Sequence, residues 1–164
     1  MYTKQISKSR TINTTMVKEF NTQTVVSVGL EIFWQALAKD FIVIVPKVLP
    51  QHVKDVQVLE GDGGLGTVLN FNFCSDASTG SYQKERISEL DWSSYEIGLE
   101  VIEGGHLNRG FSFYKTSFLL AAKGPDQTEV NVKISYEAEN EDVKSAEPTL
   151  FYIRSLENYL LHDS

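Results

Sequence analysis

The residues best equipped for chemistry are Gln83 and Glu85, which share a face with Ile87 on a predicted strand over 81–90. On the other face Tyr82, Lys84 and Arg86 form a polar, cationic set suited to water. If that alternation holds, an amide and a carboxylate point into the concave side of a sheet. A carboxylate there is costly unless paired, which suits it to recognising N–H donors. The other reading leaves both side chains at the rim of the sheet. Tyr136 and Tyr152 are tyrosines able to add hydroxyl groups to the same hollow, with plain core packing as the alternative.

Other motifs fare less well. Gly61, Gly63 and Gly66 spell G-x-G-x-x-G, and with Val68 the kinase form. A dinucleotide loop must open a helix, whose N-terminus holds the pyrophosphate, yet a strand follows here. The chain has no V-A-I-K, H-R-D or D-F-G, and the Walker pattern fails because Thr67-Val68 stands where Lys-Ser/Thr belongs. The cluster Gly61, Gly63, Gly64 and Gly66 is therefore predicted to be a structural hairpin loop with positive φ angles. His52, His106 and His162 lack neighbours at metal spacing, so no metal is expected. Neither a G-x-S-x-G nor a Cys–His arrangement occurs, so catalysis finds little support.

The elements that must position these groups follow from periodicity and turn residues. A strand is predicted over 17–27, with Phe20, Thr22, Thr24 and Val26 on one face. A helix capped by Ser27 then carries Leu30, Phe33, Trp34 and Leu37 at helical spacing. The apolar run 41–45, closed by Pro46, reads as a second short helix meeting the first in a V, or as a buried strand. Six strands are predicted over 53–60, 67–73, 81–90, 94–102, 109–121 and 128–137. A polar turn over 75–80, a Gly104-Gly105 hairpin and Gly124-Pro125-Asp126 join some of them. After an acidic loop, Pro148 opens a last helix with an apolar stripe of Leu150, Ile153, Leu156, Tyr159 and Leu160. A meander of strands that is wet on one face needs a cover on the other, and this helix is the natural one. Between them a hollow remains.

Length and composition bound the rest. The chain of 164 residues suggests one domain, 16–164, preceded by a basic extension over 1–15 that contains Lys4, Lys8 and Arg10 and no acidic residue. That extension reads as a disordered tail, or residues upstream of a start at Met16, or a short organelle transit peptide. A net charge of −7 argues against nucleic-acid and anionic-membrane partners. The single cysteine, Cys74, excludes an internal disulfide and points to a reducing compartment, the cytoplasm.

Several segments together carry a family resemblance: Val17-Lys18-Glu19-Phe20-Asn21-Thr22-Gln23-Thr24, Val45-Pro46-Lys47-Val48-Leu49-Pro50, Val53-Lys54-Asp55-Val56-Gln57, the 60–67 loop, Val101-Ile102-Glu103-Gly104-Gly105 and Val130-Asn131-Val132-Lys133-Ile134-Ser135-Tyr136. The chain resembles the legume cytokinin-specific, or phytohormone-binding, proteins. They are a branch of the class-10 pathogenesis-related plant proteins of the Bet v I superfamily. The resemblance implies an α+β, helix-grip (START-like) fold, a seven-stranded antiparallel sheet wrapped round a C-terminal helix with two short helices. It implies non-enzymatic binding of a small plant hormone, a cytokinin such as trans-zeatin or else a gibberellin, by a carrier, buffer or signalling component. Position by position, the family's ligand contacts fall on Gln83, Glu85 and Tyr152, with walls from Leu37, Phe71, Leu99, Tyr114, Thr116, Val132 and Leu156. An adenine-type guest offers N–H donors for which the Glu85 carboxylate and the Gln83 amide oxygen are apt acceptors. No cofactor is implied, and the expected state is a monomer or weak homodimer in the cytoplasm or nucleus.

A rival implication is a cavity enzyme resembling the norcoclaurine synthases, which use an inward lysine with a carboxylate; Lys84, Lys115 and Lys133 all fall on outward faces. Ribonuclease activity finds no support in the acidic surface, and the S-G-L-P-A gate signature of abscisic-acid receptors is missing. The segment between Tyr136 and Tyr152 is shorter than in the family, which bears on the cavity's selectivity and on the transfer of Tyr152.

Overall fold

A computed structural model describes residues 17–75, 80–140 and 142–163. The expectations for 1–15 lie outside these residues, as do 76–79 within the expected polar turn. Strand β1 (Lys18–Val26) leads into two helices, α1 (Leu30–Ala38) and α2 (Phe41–Val48). The meander follows as β2 (Val53–Glu60), β3 (Val68–Phe73), β4 (Tyr82–Asp91), β5 (Glu96–Gly104), β6 (Phe111–Gly124) and β7 (Gln127–Ala138). Helix α3 (Glu147–His162) closes the chain.

All seven strands pair antiparallel in the order β1-β7-β6-β5-β4-β3-β2. Alternation explains which face is dry. On β7, Val130, Val132, Ile134 and Tyr136 are buried, as the sequence pattern predicts. Helix α3 packs against α1, α2 and β1 through a stripe whose centre, Ile153 and Leu156, is fully buried. Charge-assisted contacts tie it down: Glu157 accepts the Ser27 backbone N–H at 2.7 Å, and Arg154 bonds the Thr24 hydroxyl.

Two local expectations, for Ser27 and Gly104-Gly105, are corrected, and the choice left open at 41–45 is resolved in favour of the helix. Ser27 does not cap α1. Gly29 stands at the cap with an extended backbone and no side-chain bond, and its carbonyl accepts from Phe33. The 41–45 run is a helix and not a strand, because Phe41, Ile44 and Val45 are the buried positions while Val43 faces outward. A strand would have buried Val43 with Phe41 and Val45. Finally, Gly104-Gly105 does not close a tight hairpin. It turns the chain into a short 3₁₀ turn, Gly105–Asn108, before β6 begins.

The glycine loop is a sealed structural turn. Gly61, Gly63 and Gly66 adopt φ of 94°, 98° and 88°. The amides that would hold a phosphate are already used. Gly63 N–H donates to Thr67 Oγ1, Gly64 N–H to the Asp62 carboxylate and Gly66 N–H to the Ile87 carbonyl.

Candidate ligand-binding site

Sheet and α3 enclose a cavity of about 650 Å³, a size suited to a small organic ligand. Its walls are mostly apolar, with Leu37 and Phe41 from the helices, Phe71 and Phe73 from β3, Leu99 and Val101 from β5, and Thr116 and Phe118 from β6. Tyr152 reaches in from α3, and the segment from Asp142 to Ala146 borders it.

Gln83 and Glu85 both line this cavity, so the rim reading fails. Their outward neighbours behave as charge alternation requires. Tyr82 and Lys84 bond the Glu103 carboxylate at 2.7 and 3.2 Å on the outer face. A register shift against β5 between Lys84 and Glu85 bends the ladder at this point. Inside, Gln83 Nε2 donates to Glu85 Oε2 at 2.6 Å, and among the described residues no other hydrogen-bond partner meets that carboxylate. Glu85 is half-buried, its side chain bordering the cavity. That burial lifts its pKa to about 7, against the lowering effect of the Gln83 bond.

The amide oxygen of Gln83, expected to meet a guest, is already occupied. It accepts the backbone N–H of His106 at 3.1 Å and faces the same residue's Nδ1 at 2.9 Å. The approach depends on Gly105, where φ is +48°. A Cβ there would stand 1.9 Å from Gln83 Oε1. His106 is thus a site residue that sequence motifs do not reveal, because its place in the site does not depend on metal-ligand spacing. The available signal was the Gly104-Gly105 pair, which folds the chain back over the concave face just before the histidine.

His106 stacks on Tyr114 with ring centroids 3.7 Å apart and planes 10° from parallel, and Phe111 meets its edge. Burial, helped by the Arg109 charge, lowers the imidazole to about 4. Burial and then the Glu85 charge push the Tyr114 phenol up to about 12, and burial alone raises Tyr152. Burial thus holds His106, Tyr114 and Tyr152 towards their neutral forms. At this end of the cavity those three side chains are neutral near pH 7, Glu85 is close to half ionised, and the Arg109 side chain borders the same space.

Eight of the ten expected ligand-contacting residues line the cavity: Gln83, Glu85, Tyr152, Leu37, Phe71, Leu99, Tyr114 and Thr116. Val132 and Leu156 do not; both are buried in the packing beneath it. Tyr136 is likewise absent from the lining, and its hydroxyl accepts the Val143 N–H at 3.1 Å. With the Lys18–Asp142 ion pair at 2.8 Å, that bond pins the segment at the cavity's border. No glycine of the 61–66 loop reaches the cavity. Phe111, also unforeseen, is turned inward by a register shift between it and Phe113. Among the described residues no cluster of ligating side chains fits a metal.

Seven antiparallel strands gripping a C-terminal helix over a hollow is an arrangement with known relatives. A profile of the Pathogenesis-related protein Bet v 1 family matches residues 15–163. The chain belongs to this family. Among curated Bet v 1 relatives, the major pollen allergen Car b 1 isoform 2 of Carpinus betulus is 35% identical over 127 residues, 72% of this chain and 78% of that protein. The norbelladine synthase of Narcissus pseudonarcissus is 32% identical over 100 residues, and the match spans 61% of each chain. Among solved structures, norcoclaurine synthase from Thalictrum flavum, in complex with dopamine and hydroxybenzaldehyde, superimposes with a TM-score of 0.76. It is 21% identical, over 90% of this chain and 88% of that one. Similarity at that identity speaks for the fold.

Proposed function

We propose that this Bet v 1 chain is a non-enzymatic binder of a cytokinin-like hormone, of which trans-zeatin is the representative, held in the 650 Å³ cavity as a carrier or buffer. A gibberellin is the second guest to test. The observation that carries the proposal is the Glu85 carboxylate. It lies in an apolar wall, one oxygen is fixed by Gln83, and the other has no hydrogen-bond partner among the described residues. An aminopurine donates ring and exocyclic N–H groups to such an acceptor, and the apolar walls suit its hydrocarbon tail. The sequence resemblance to the cytokinin-specific branch supports the same choice. Tyr152, on the facing helix, is proposed as a further contact. Titration calorimetry with trans-zeatin on wild type and Glu85→Ala tests the reading. Binding that weakens in the variant is expected; no binding, or binding unchanged by the substitution, rules the assignment out.

One observation favours a second reading. A carboxyl group with a pKa near 7 is well matched to proton transfer, and Lys144 borders the same cavity although the strand lysines do not. Lys84 and Lys115 are instead paired on the outside with Glu103 and Glu89. The norbelladine synthase relative gives this reading a precedent in the family. Incubation with dopamine and hydroxybenzaldehyde tests it. Condensation product that disappears in Glu85→Gln would make the chain an enzyme.

A further inference from the structure

Beside Glu85, the polar end of the cavity holds a second group whose hydrogen can be located from its neighbours. Gln83 Oε1 meets the backbone N–H of His106, and a backbone N–H only donates. The atom it meets must therefore be the amide oxygen, so the amide cannot be reversed. That oxygen only accepts, so the imidazole Nδ1 lying 2.9 Å from it must carry the hydrogen. Burial keeps the ring neutral at physiological pH. The remaining nitrogen, Nε2, then carries a lone pair with no hydrogen-bond partner among the described residues, on a ring that Tyr114 and Phe111 hold in place within the cavity wall.

We infer that His106 is a ligand-recognition residue, its Nε2 accepting a hydrogen bond from the same planar, N–H-donating guest that Glu85 engages, with Gln83 orienting both acceptors at once. The inference rests on the reading of this cavity as a ligand site, and it specifies the ligand's chemistry. The guest is a flat heterocycle with two N–H donors along its polar edge, as in aminopurines and aminobenzimidazoles. Gln83 itself acts as a positioning residue. Its oxygen sets the histidine tautomer and its nitrogen holds the carboxylate, so one amide determines the acceptor pattern. Gly105 is part of the device, since any side chain at that position would expel the amide oxygen.

Nitrogen-detected NMR of the full chain at pH 7.5 tests this, with trans-zeatin and 2-aminobenzimidazole as probes. The free protein is expected to show His106 protonated on Nδ1, and each bound probe is expected to move the Nε2 resonance. His106→Asn keeps an N–H directed at Gln83 but deletes Nε2. It should weaken both probes roughly three- to tenfold, the effect of one lost hydrogen bond. A hydrogen on Nε2 in the free protein would overturn the inference. So would binding of a probe with Nε2 unmoved and the Asn variant at wild-type affinity. If 2-aminobenzimidazole binds with the Nε2 response while trans-zeatin does not bind, the hormone reading falls and His106 stands; if neither probe binds, both fall.

Discussion

Gln83 and Glu85 stand two residues apart on one face of β4 and share a 2.6 Å hydrogen bond along the strand. The amide is anchored at its other end by His106, so it cannot rotate to satisfy the second carboxylate oxygen. A buried acid is thereby left half-satisfied at the wall of an apolar cavity. The pH dependence of both stability and binding follows from that shortfall.

The first consequence is for stability. The Glu85 pKa rises from 4.5 to about 7 on folding, so the folded state binds more protons than the unfolded state between those values. Stability then falls as pH rises through that window and is level above it. Glu85→Gln keeps the bond to Gln83 and removes the charge. It should be more stable than wild type at pH 8 by on the order of 2 kcal/mol, solvent in the cavity being allowed for, and equal near pH 4.5. Urea unfolding at the two pH values measures the difference.

Binding should run the other way. A guest that donates N–H groups needs the carboxylate ionised, so below pH 7 association must displace a proton. Affinity for trans-zeatin is expected to drop about tenfold per unit well below pH 7 and to be flat above pH 8. In Glu85→Gln the slope should vanish. Calorimetry in buffers of different ionisation enthalpy counts the released proton directly.

On α1, Trp34 is fully buried and meets Trp92 and Tyr95 edge-on, at 5.3 and 5.6 Å between centroids. Its indole nitrogen has no hydrogen-bond partner among the described residues. Trp34→Phe should therefore cost only lost volume, well under half the ~3–5 kcal/mol expected for Trp34→Ala. Chemical denaturation of both variants checks the ratio.

The two fastenings of the segment before α3 should differ in strength. Lys18 and Asp142 are exposed, and Lys18→Ala is expected to leave the unfolding midpoint unchanged within error. Tyr136→Phe strands the Val143 N–H and should cost about 1–2 kcal/mol. Thermal melts of the two variants, side by side, separate these outcomes.

Much of this architecture is legible from alternation and turn residues. The dry face of β7 and the inward pair on β4 are written in period two, and Pro148 marks the start of α3. What escapes has physical reasons. Five consecutive apolar residues at 41–45 carry no periodicity, so helix and strand look alike until burial selects Phe41, Ile44 and Val45. The inward turn of Phe111 follows a register shift, which alternation alone cannot foresee. Val132 and Leu156 fit the pattern of inward residues, but the pattern does not say how deep the cavity floor lies. His106 belongs to the site through its backbone N–H as much as through its ring, and a main-chain contact leaves no trace in residue type.

Gly105 has a consequence for sorting relatives. Because 1.9 Å is all that separates Gln83 Oε1 from where a Cβ would stand, position 105 and position 83 are not free to vary separately. A family member that carries the amide but not the glycine would need a different backbone at this corner. One that carries the glycine but not the amide has lost its reason to keep it. In an alignment of the family, the two columns should therefore change together. Their joint presence would mark the lineage that inherited this acceptor pair, more sharply than the glycine-rich loop that all members are expected to share.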